Sequence, residues 1–476
     1  MRYVSTRGQS PAIGFWDAVL AGLAPDGGLY IPETWPRFTA DEIAAFAGKP
    51  YAAVAAAVIG KFAGSDIAPA ELLAMATEAY AVFTHPSVTP IKELYPNLFL
   101  LELFHGPTLA FKDVAMQILA RLYDKALKAR GRHLTIVAAT SGDTGGAAVE
   151  AFRGASNVRI MILFPEGRIS EVQRRFMTTT GEANVANVAV QGSFDDCQTI
   201  VKDMFGDKAL RAAVDLSGVN SINWARIAAQ AVYYFTSAVA LGAPHRKVSF
   251  VVPTGNFGDA FAGYVAKQMG LPIETITVAT NANDIVARAI RTGRYARGAV
   301  QATQSPAMDI QIASNFERLY FEAVGRDAAA TALAFKTFTA ANNSGGIDIP
   351  ADALAFIRTL FSGDSVDEAQ TSDCIERTLQ DTGEVIDPHT AVALRAARRL
   401  QAGRADNSVP LVVLSTAHPA KFPEAVRAAA GVEPRLPLAA VGLDEKGERF
   451  DRLPADAEAV KAYLKTFALS NQNGAA

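Results

Sequence analysis

Short apolar runs, each closed by a polar turn, dominate the chain from residue 97 onward. LFLLELF, LTIVAAT, VRIMILFPEG, NVANVAVQG, KVSFVVPTGN, IETITVATN and PLVVLSTAH are rich in Val, Ile and Leu, with helical stretches between them. A strand without polar alternation is buried on both faces, which is the condition of a parallel sheet covered by helices. The pattern predicts an α/β fold. Residues 1–90 read differently. ADEIAAFAGKPYAAVAAAVIGKFAG is Ala-rich with apolar residues at helical spacing, and Asp66 to Phe83 continues as helix. THPSVTPIKELYPN, with three prolines, marks a boundary, so an N-terminal helical domain is expected over 1–90 and a second region over 91–476. The stretch from about 330 to 406 reads as helical and structural, as does the polar tail SNQNGAA.

Several of the predicted strands end in clusters of Gly, Ser, Thr, Asn and Asp: TSGDTGG, PTGNFGDA and STAHPAKF. In open α/β sheets ligands bind beyond the carboxyl ends of the strands, so these turns are expected to converge on one crevice. Composition narrows the occupant. A chain of 476 residues with net charge −3, half of it hydrophobic, is globular and has no basic stripe for nucleic acid. The first twenty residues lack the pattern of a signal peptide, and no run of about 18 apolar residues predicts a membrane span. A cytoplasmic protein is expected. Two distant cysteines, Cys197 and Cys374, supply neither a disulfide framework nor a zinc site, and no metal is expected.

Four turns carry candidate chemistry. In PTGNFGDAFAGYVAKQ an apolar strand runs into Gly255-Asn256-Phe257-Gly258-Asp259 and then a helix. Its glycines and helix N-terminus can cradle a phosphate, or Asp259 simply caps the helix. In ATSGDTGGAAVEAF, Ser141, Gly142, Asp143 and Thr144 can hold a carboxylate or can cap a helix. In VNSINWARIAAQ, Asn220, Ser221 and Arg226 form either a phosphate clamp or a capped helix beside a surface arginine. In LSTAHPAKF a strand delivers Ser415 and Thr416, whose hydroxyls can meet a ring nitrogen or bond to their own backbone.

Lys112, in HGPTLAFKD, gives these turns a common purpose. It follows the apolar pair Ala110-Phe111, where an ammonium is costly to bury. Burial would depress its pKa and leave a nucleophilic amine able to form a Schiff base. The cofactor that joins such a lysine to a phosphate cradle is pyridoxal phosphate.

HGPTLAFKD, TSGDTG, GSFDDCQ, SINWARI, PTGNFGD and STAHPAKF, in that order, resemble the threonine synthase family, as do the opening YVSTRG and GLAPDGGLYIPE. The resemblance covers nearly the whole chain and is nearest the long form of bacteria and fungi. It implies the fold type II architecture of pyridoxal-phosphate enzymes, related to tryptophan synthase β: a smaller α/β subdomain at about 115–220, a larger one from the remainder, and a helical N-terminal domain. It implies conversion of O-phospho-L-homoserine and water to L-threonine and phosphate, by a monomer or homodimer. On the matching positions, Lys112 holds the cofactor covalently and serves as base. Gly255, Asn256, Phe257, Gly258 and Asp259 surround the cofactor phosphate, and Thr416 faces the pyridine nitrogen. Ser141, Gly142, Asp143 and Thr144 lie at the substrate carboxylate and the cofactor O3′, while Asn220, Ser221 and Arg226 grip the substrate phosphate. Asp143 departs from the Asn of many fold type II relatives, and a carboxylate beside a substrate carboxylate would repel it.

Other residues read as structural: His389 as helix N-terminal packing, Asp195 and Asp196 as a cap, and the arginines of EGRISEVQRRF as a solvated helix face. His105 is either a contact or a turn residue. The competing readings are another fold type II lyase (a threonine dehydratase or an amino-acid phospholyase) and a silent cofactor-binding homologue. The phosphate clamp and Lys112 weigh against them.

Overall fold

Seven apolar runs become strands: Leu98–Glu102, Leu134–Ala139, Val158–Pro165, Val185–Gln191, Val248–Pro253, Ile273–Thr280 and Leu411–Ser415. The structure, a computed structural model, describes residues 1–340 and 345–469. It sorts the strands into two sheets. One has six strands in the order Phe361–Ser365, Ile273–Thr280, Val248–Pro253, Leu411–Ser415, Leu98–Glu102, Ile91–Tyr95. Its neighbours are parallel except the last pair, which is antiparallel. The other has five parallel strands in the order Asp451–Pro454, Val185–Gln191, Val158–Pro165, Leu134–Ala139, Leu216–Ser217.

Within these two sheets, the four strands not anticipated from the pattern are their four edges. IKELY, read as part of a boundary, is an edge strand of the larger sheet, and FSGDS lies within the stretch read as helical. Both are only partly buried, so neither carries a continuous apolar run. Most of the described remainder of 330–406 is helical as expected, with Ala328–Ala340, Ala351–Arg358, Glu368–Thr382 and Pro388–Gly403, but Gly346–Asp348 is a further short strand, paired with Arg294–Ala296. The smaller sheet also recruits Asp451–Pro454, and the helix Ala457–Leu469 packs its Val460 and Leu464 with Val188 and Val190. That subdomain is thus discontinuous in sequence and extends beyond the expected 115–220. The tail SNQNGAA lies outside the described residues.

In the N-terminal region the Ala-rich run breaks at Gly48-Lys49-Pro50 into helices Ala40–Ala44 and Tyr51–Ala63, because Pro50 cannot continue the first and starts the second. Pro69–Tyr80 follows. These helices share a core with the larger sheet: one apolar cluster runs from Tyr3 and Phe62 through Trp224 to Val252 and Leu414. Trp224, at the start of the helix Trp224–Ala240, meets the rings of Tyr3, Trp35 and Phe62 at centroid distances of 6.0, 6.0 and 5.3 Å. Each such pair adds roughly 0.5–1.5 kcal/mol beyond the area it buries. The N-terminal region is thereby fixed to the helix that carries Arg226. Among the described residues no helix is long and apolar enough to cross a membrane.

Candidate active site

The Lys112 turn and the Thr416 turn are stitched together. Ala110 and Ala417 form an isolated antiparallel bridge, Phe111 N–H donates to Thr416 O at 2.8 Å, and His418 N–H donates to Leu109 O at 3.0 Å. Leu109 holds a left-handed φ of +60°, which costs a residue with a Cβ roughly 1–2 kcal/mol. Strain of this kind collects where a loop is fixed for function. It turns the chain into the helix Lys112–Arg130, with Lys112 as the first residue and 8% exposed.

Lys112 Nζ lies 5.0 Å from the centre of the Phe111 ring and 3.4 Å from Asp143 Oδ2. Burial lowers the Lys112 pKa; Asp143 opposes that, while Lys421 and Arg226 add to it. The other Asp143 oxygen, Oδ1, is 2.7 Å from Lys421 Nζ and accepts from Gln173 Nε2 at 3.0 Å. Burial alone would raise the Asp143 carboxyl; Lys421, then Lys112, hold it well below the ordinary carboxylate range. The repulsion expected of this departure from the common Asn is therefore met by two cations. Gly142 caps the helix Asp143–Phe152 with φ +133°, and a Cβ there would fall 2.5 Å from Gln173 Cδ. The Thr140 hydroxyl accepts from the N–H groups of Gly142 and Gly145 at 3.0 and 2.9 Å, holding the turn, while Ser141 and Thr144 are half-buried on it.

Thr416 is buried, and its hydroxyl has no protein partner among the described residues. The neighbouring Ser415 hydroxyl is already shared with Thr390 Oγ1 at 2.9 Å.

After strand Val248–Pro253 the GNFGD turn enters the helix Gly258–Gln268 through Phe257, at φ +61°. Unpaired N–H groups at such a helix start favour an anion. A Cβ on Gly255 would sit 2.6 Å from Ala307 O, so only glycine fits. His389 fixes Ala307: its Nε2 accepts from Ala307 N–H at 3.3 Å, and its Nδ1 is 2.7 Å from Asp387. His389 thus does more than pack a helix start. Two residues of the turn face away from the cradle. The Phe257 ring is core, against Phe316 and Phe361. The Asp259 carboxylate accepts from Tyr233 and Tyr234 hydroxyls at 2.5 and 3.2 Å. Burial, only partly offset by those two bonds, raises Asp259 to about 7. The side chains of both are thus turned into the protein, leaving the backbone N–H groups as what these two residues present on the turn.

The third turn adjoins this cradle. Asn315 Nδ2 donates to Asn256 O and Ser221 O, each at 3.1 Å. Ser314 Oγ joins Ser221 Oγ at 3.2 Å to Asn256 Oδ1 at 3.1 Å. The Asn220 side chain is exposed. Arg226 is the opposite of the surface arginine that one reading allowed. It is buried, and its Nε and Nη1 have no acceptor among the described residues. Burial brings it down to about 10, with Tyr233 and Tyr123 opposing and no carboxylate contributing. An orphaned buried guanidinium is a vacancy for an anion.

The sequence reading missed Lys421, Gln173 and Thr108. A lysine in a polar turn reads as solvated, and nothing local betrays its partner. The arginines of EGRISEVQRRF are also not a plain solvated face: Arg174 pairs with Glu448 at 2.8 Å and Arg175 donates to Asp444 O at 3.0 Å. Asp196 does cap its helix, with Ser193. His105 Nε2 contacts Glu102 at 2.7 Å. Among the described residues no cluster of three or more His, Cys, Asp or Glu is placed to hold a metal ion.

A buried lysine at a helix start, an anion cradle after strand Val248–Pro253 and two α/β sheets around them define a pyridoxal-phosphate-dependent enzyme of fold type II. The model of pyridoxal-phosphate-dependent enzymes matches residues 82–416, flanked by those of the threonine synthase N terminus (2–80) and C-terminal region (390–464). The chain belongs to the threonine synthase family. It is 50% identical to threonine synthase of Pseudomonas aeruginosa over 98% of both chains. It is similar to the crystal structure of PLP-bound threonine synthase from Brucella melitensis (53% identity, TM-score 0.95, 98% of this chain and 100% of that one). The yeast enzyme structure matches with 38% identity and TM-score 0.93 over 98% and 99%.

Proposed function

We propose that this cleft carries out the family's reaction, O-phospho-L-homoserine and water to L-threonine and phosphate, with Lys112 as the residue that holds pyridoxal phosphate. The residues present suit that group: a depressed amine for its aldehyde, a glycine turn and helix start for its phosphate, and the Thr416 hydroxyl for its ring nitrogen. When bound, pyridoxal phosphate supplies an electron-accepting ring that stabilises negative charge beside the substrate nitrogen.

The chain's own groups do the rest. Ser141, Gly142 and Thr144 take the substrate carboxylate through hydroxyl and N–H donors at a helix start. Lys112 Nζ, when free, would remove and return protons at the substrate carbons. Arg226 and Ser221 orient the substrate phosphate and stabilise it as it leaves. Asp143 is assigned to the lysines rather than to the substrate carboxylate. The enzyme is read as a cytoplasmic monomer or homodimer.

The observation that carries this reading is Arg226, a buried cation with two unpartnered N–H atoms. A dehydratase, whose substrate bears no phosphate, has no use for it. The test is to incubate the holoenzyme with O-phospho-L-homoserine and with L-threonine. Equal release of phosphate and threonine from the first supports the reading; deamination of the second with no phosphate released from the first overturns it.

A further inference from the structure

One carboxylate, Asp143, is shared between two buried lysines, and unequally. Lys421 is 1% exposed and stands 2.7 Å from Oδ1, whereas Lys112 stands 3.4 Å from Oδ2. At equal dielectric the shorter pair attracts more strongly. Lys421 cannot follow a moving carboxylate freely, because its Nζ also donates to Thr108 O at 2.7 Å. Thr108 is anchored in turn: its N–H and Oγ1 donate to Asp113 at 2.8 and 2.6 Å. Gln173 holds Oδ1 from another helix, Glu171–Thr178. The turn Pro419–Lys421 is therefore a fixed post to which Asp143 is tied from the side opposite Lys112.

We propose that Lys421 is a positioning residue: by holding Asp143 through Oδ1 it keeps that carboxylate from closing on Lys112, and so sets the pH at which the Lys112 amine becomes nucleophilic. The inference rests on the assignment of Lys112 made above.

The charged and titratable groups bearing on Lys112 are Asp143, Lys421 and Arg226. Those bearing on Lys421 include Asp143, Asp113 from the Lys112 helix and His418 on its own turn. Asp113 is raised to about 6 and His418 lowered to about 4, both chiefly by burial. Above about pH 7 neither of these two changes charge, so a midpoint above that is not theirs, and Arg226, brought down to about 10, bounds the readable range from above. Removing the Lys421 cation acts on Lys112 in one direction twice. It removes a repulsion, and it frees a carboxylate to approach. Both favour the protonated amine.

The test uses the full-length chain stripped of cofactor. The rate at which it captures pyridoxal phosphate, read from the visible absorbance of the bound cofactor, is measured against pH. Lys421→Met moves the midpoint to higher pH by about one unit. Lys421→Arg leaves it in place, and Asp143→Asn moves it to lower pH. In the Asp143→Asn background, Lys421→Met produces a clearly smaller shift, because most of its effect runs through the carboxylate. An unmoved midpoint in Lys421→Met, or equal shifts with and without Asp143, overturns the proposal. If Lys421→Met does not fold, Lys421→Gln, which keeps a donor for the Thr108 carbonyl, decides: an alkaline shift supports the proposal, and an unmoved or acid midpoint overturns it. The underlying assignment fails separately, if Lys112→Ala still gains the visible band.

Discussion

Phe111 donates its backbone N–H to the carbonyl of Thr416 at 2.8 Å. The bond uses no side chain, so the turn that starts the Lys112 helix stays registered against the turn that carries Thr416 whatever residues stand there. A side chain at these two turns that has no protein partner of its own can be changed with the frame left standing.

Thr416→Val should therefore separate chemistry from folding. The isosteric change removes a hydroxyl without a protein partner and keeps the carbonyl that Phe111 uses. The melting temperature is expected to stay within about 2 °C, while kcat falls roughly three- to tenfold for loss of one hydrogen bond. Calorimetry and phosphate-release kinetics check the two halves. Ser415 is not free to substitute, because its hydroxyl is engaged by Thr390.

Arg226→Met should improve stability while harming binding. The wild-type guanidinium is desolvated with two N–H atoms unpaired. An apolar side chain of similar length removes that cost, as replacing buried charges often does. The ligand-free chain is expected to melt about 1–3 °C higher. KM for the phosphorylated substrate is expected to rise about tenfold or more. Parallel thermal scans and initial rates measure both, and an unchanged KM would remove Arg226 from the clamp.

Gly255→Ala should weaken the cofactor site. The added Cβ falls 2.6 Å from a backbone carbonyl that His389 holds in place. Either the turn or the Ala307 segment must shift, at a cost of about 1–3 kcal/mol. Fluorescence titration with pyridoxal phosphate is expected to give an affinity about five- to a hundredfold lower, one decade per 1.4 kcal/mol.

Asp259 gives a pH dependence with a definite sign. Its carboxyl is raised from the ordinary 3.8 to about 7 by burial. Between those values the folded chain binds a proton that the unfolded chain has lost. The contribution to stability is thus full below about pH 4 and is lost as pH rises to about 7. Asp259→Asn, which keeps an oxygen acceptor for the two tyrosines, has no such loss. The melting temperature of the variant minus that of the wild type should grow from pH 5 to pH 8. A difference that stays flat or shrinks contradicts the assignment.

The strands of the sheet interiors were legible because burial on both faces writes Val, Ile and Leu into consecutive positions, as in Ile273–Thr280. The edge strands were not. Asp451–Pro454, with one face in solvent, has no run to read, and its parallel pairing to Val185–Gln191 joins segments far apart in sequence. Which strand joins which sheet is likewise a tertiary outcome. In the site, residues whose job depends on local backbone could be read: Gly142 holds a φ of +133° at the start of its helix, and Gly255 lies in the turn that joins strand to helix. Residues whose job depends on a distant partner could not. Lys421 looks like any turn lysine until Asp143 is seen 2.7 Å away. Phe257 and Asp259 were placed by motif, and the motif does not say which way a side chain turns.

The strand Asp451–Pro454 and its clasp, Arg174 to Glu448, bear on how the protein is born. As the ribosome delivers the chain, Val185–Gln191 emerges early and waits with one row of amides and carbonyls bare, an invitation to pair with a neighbouring nascent copy. Relief comes only when residues made much later loop back to cover it. The interval between those two moments is when this edge is most open to mispairing.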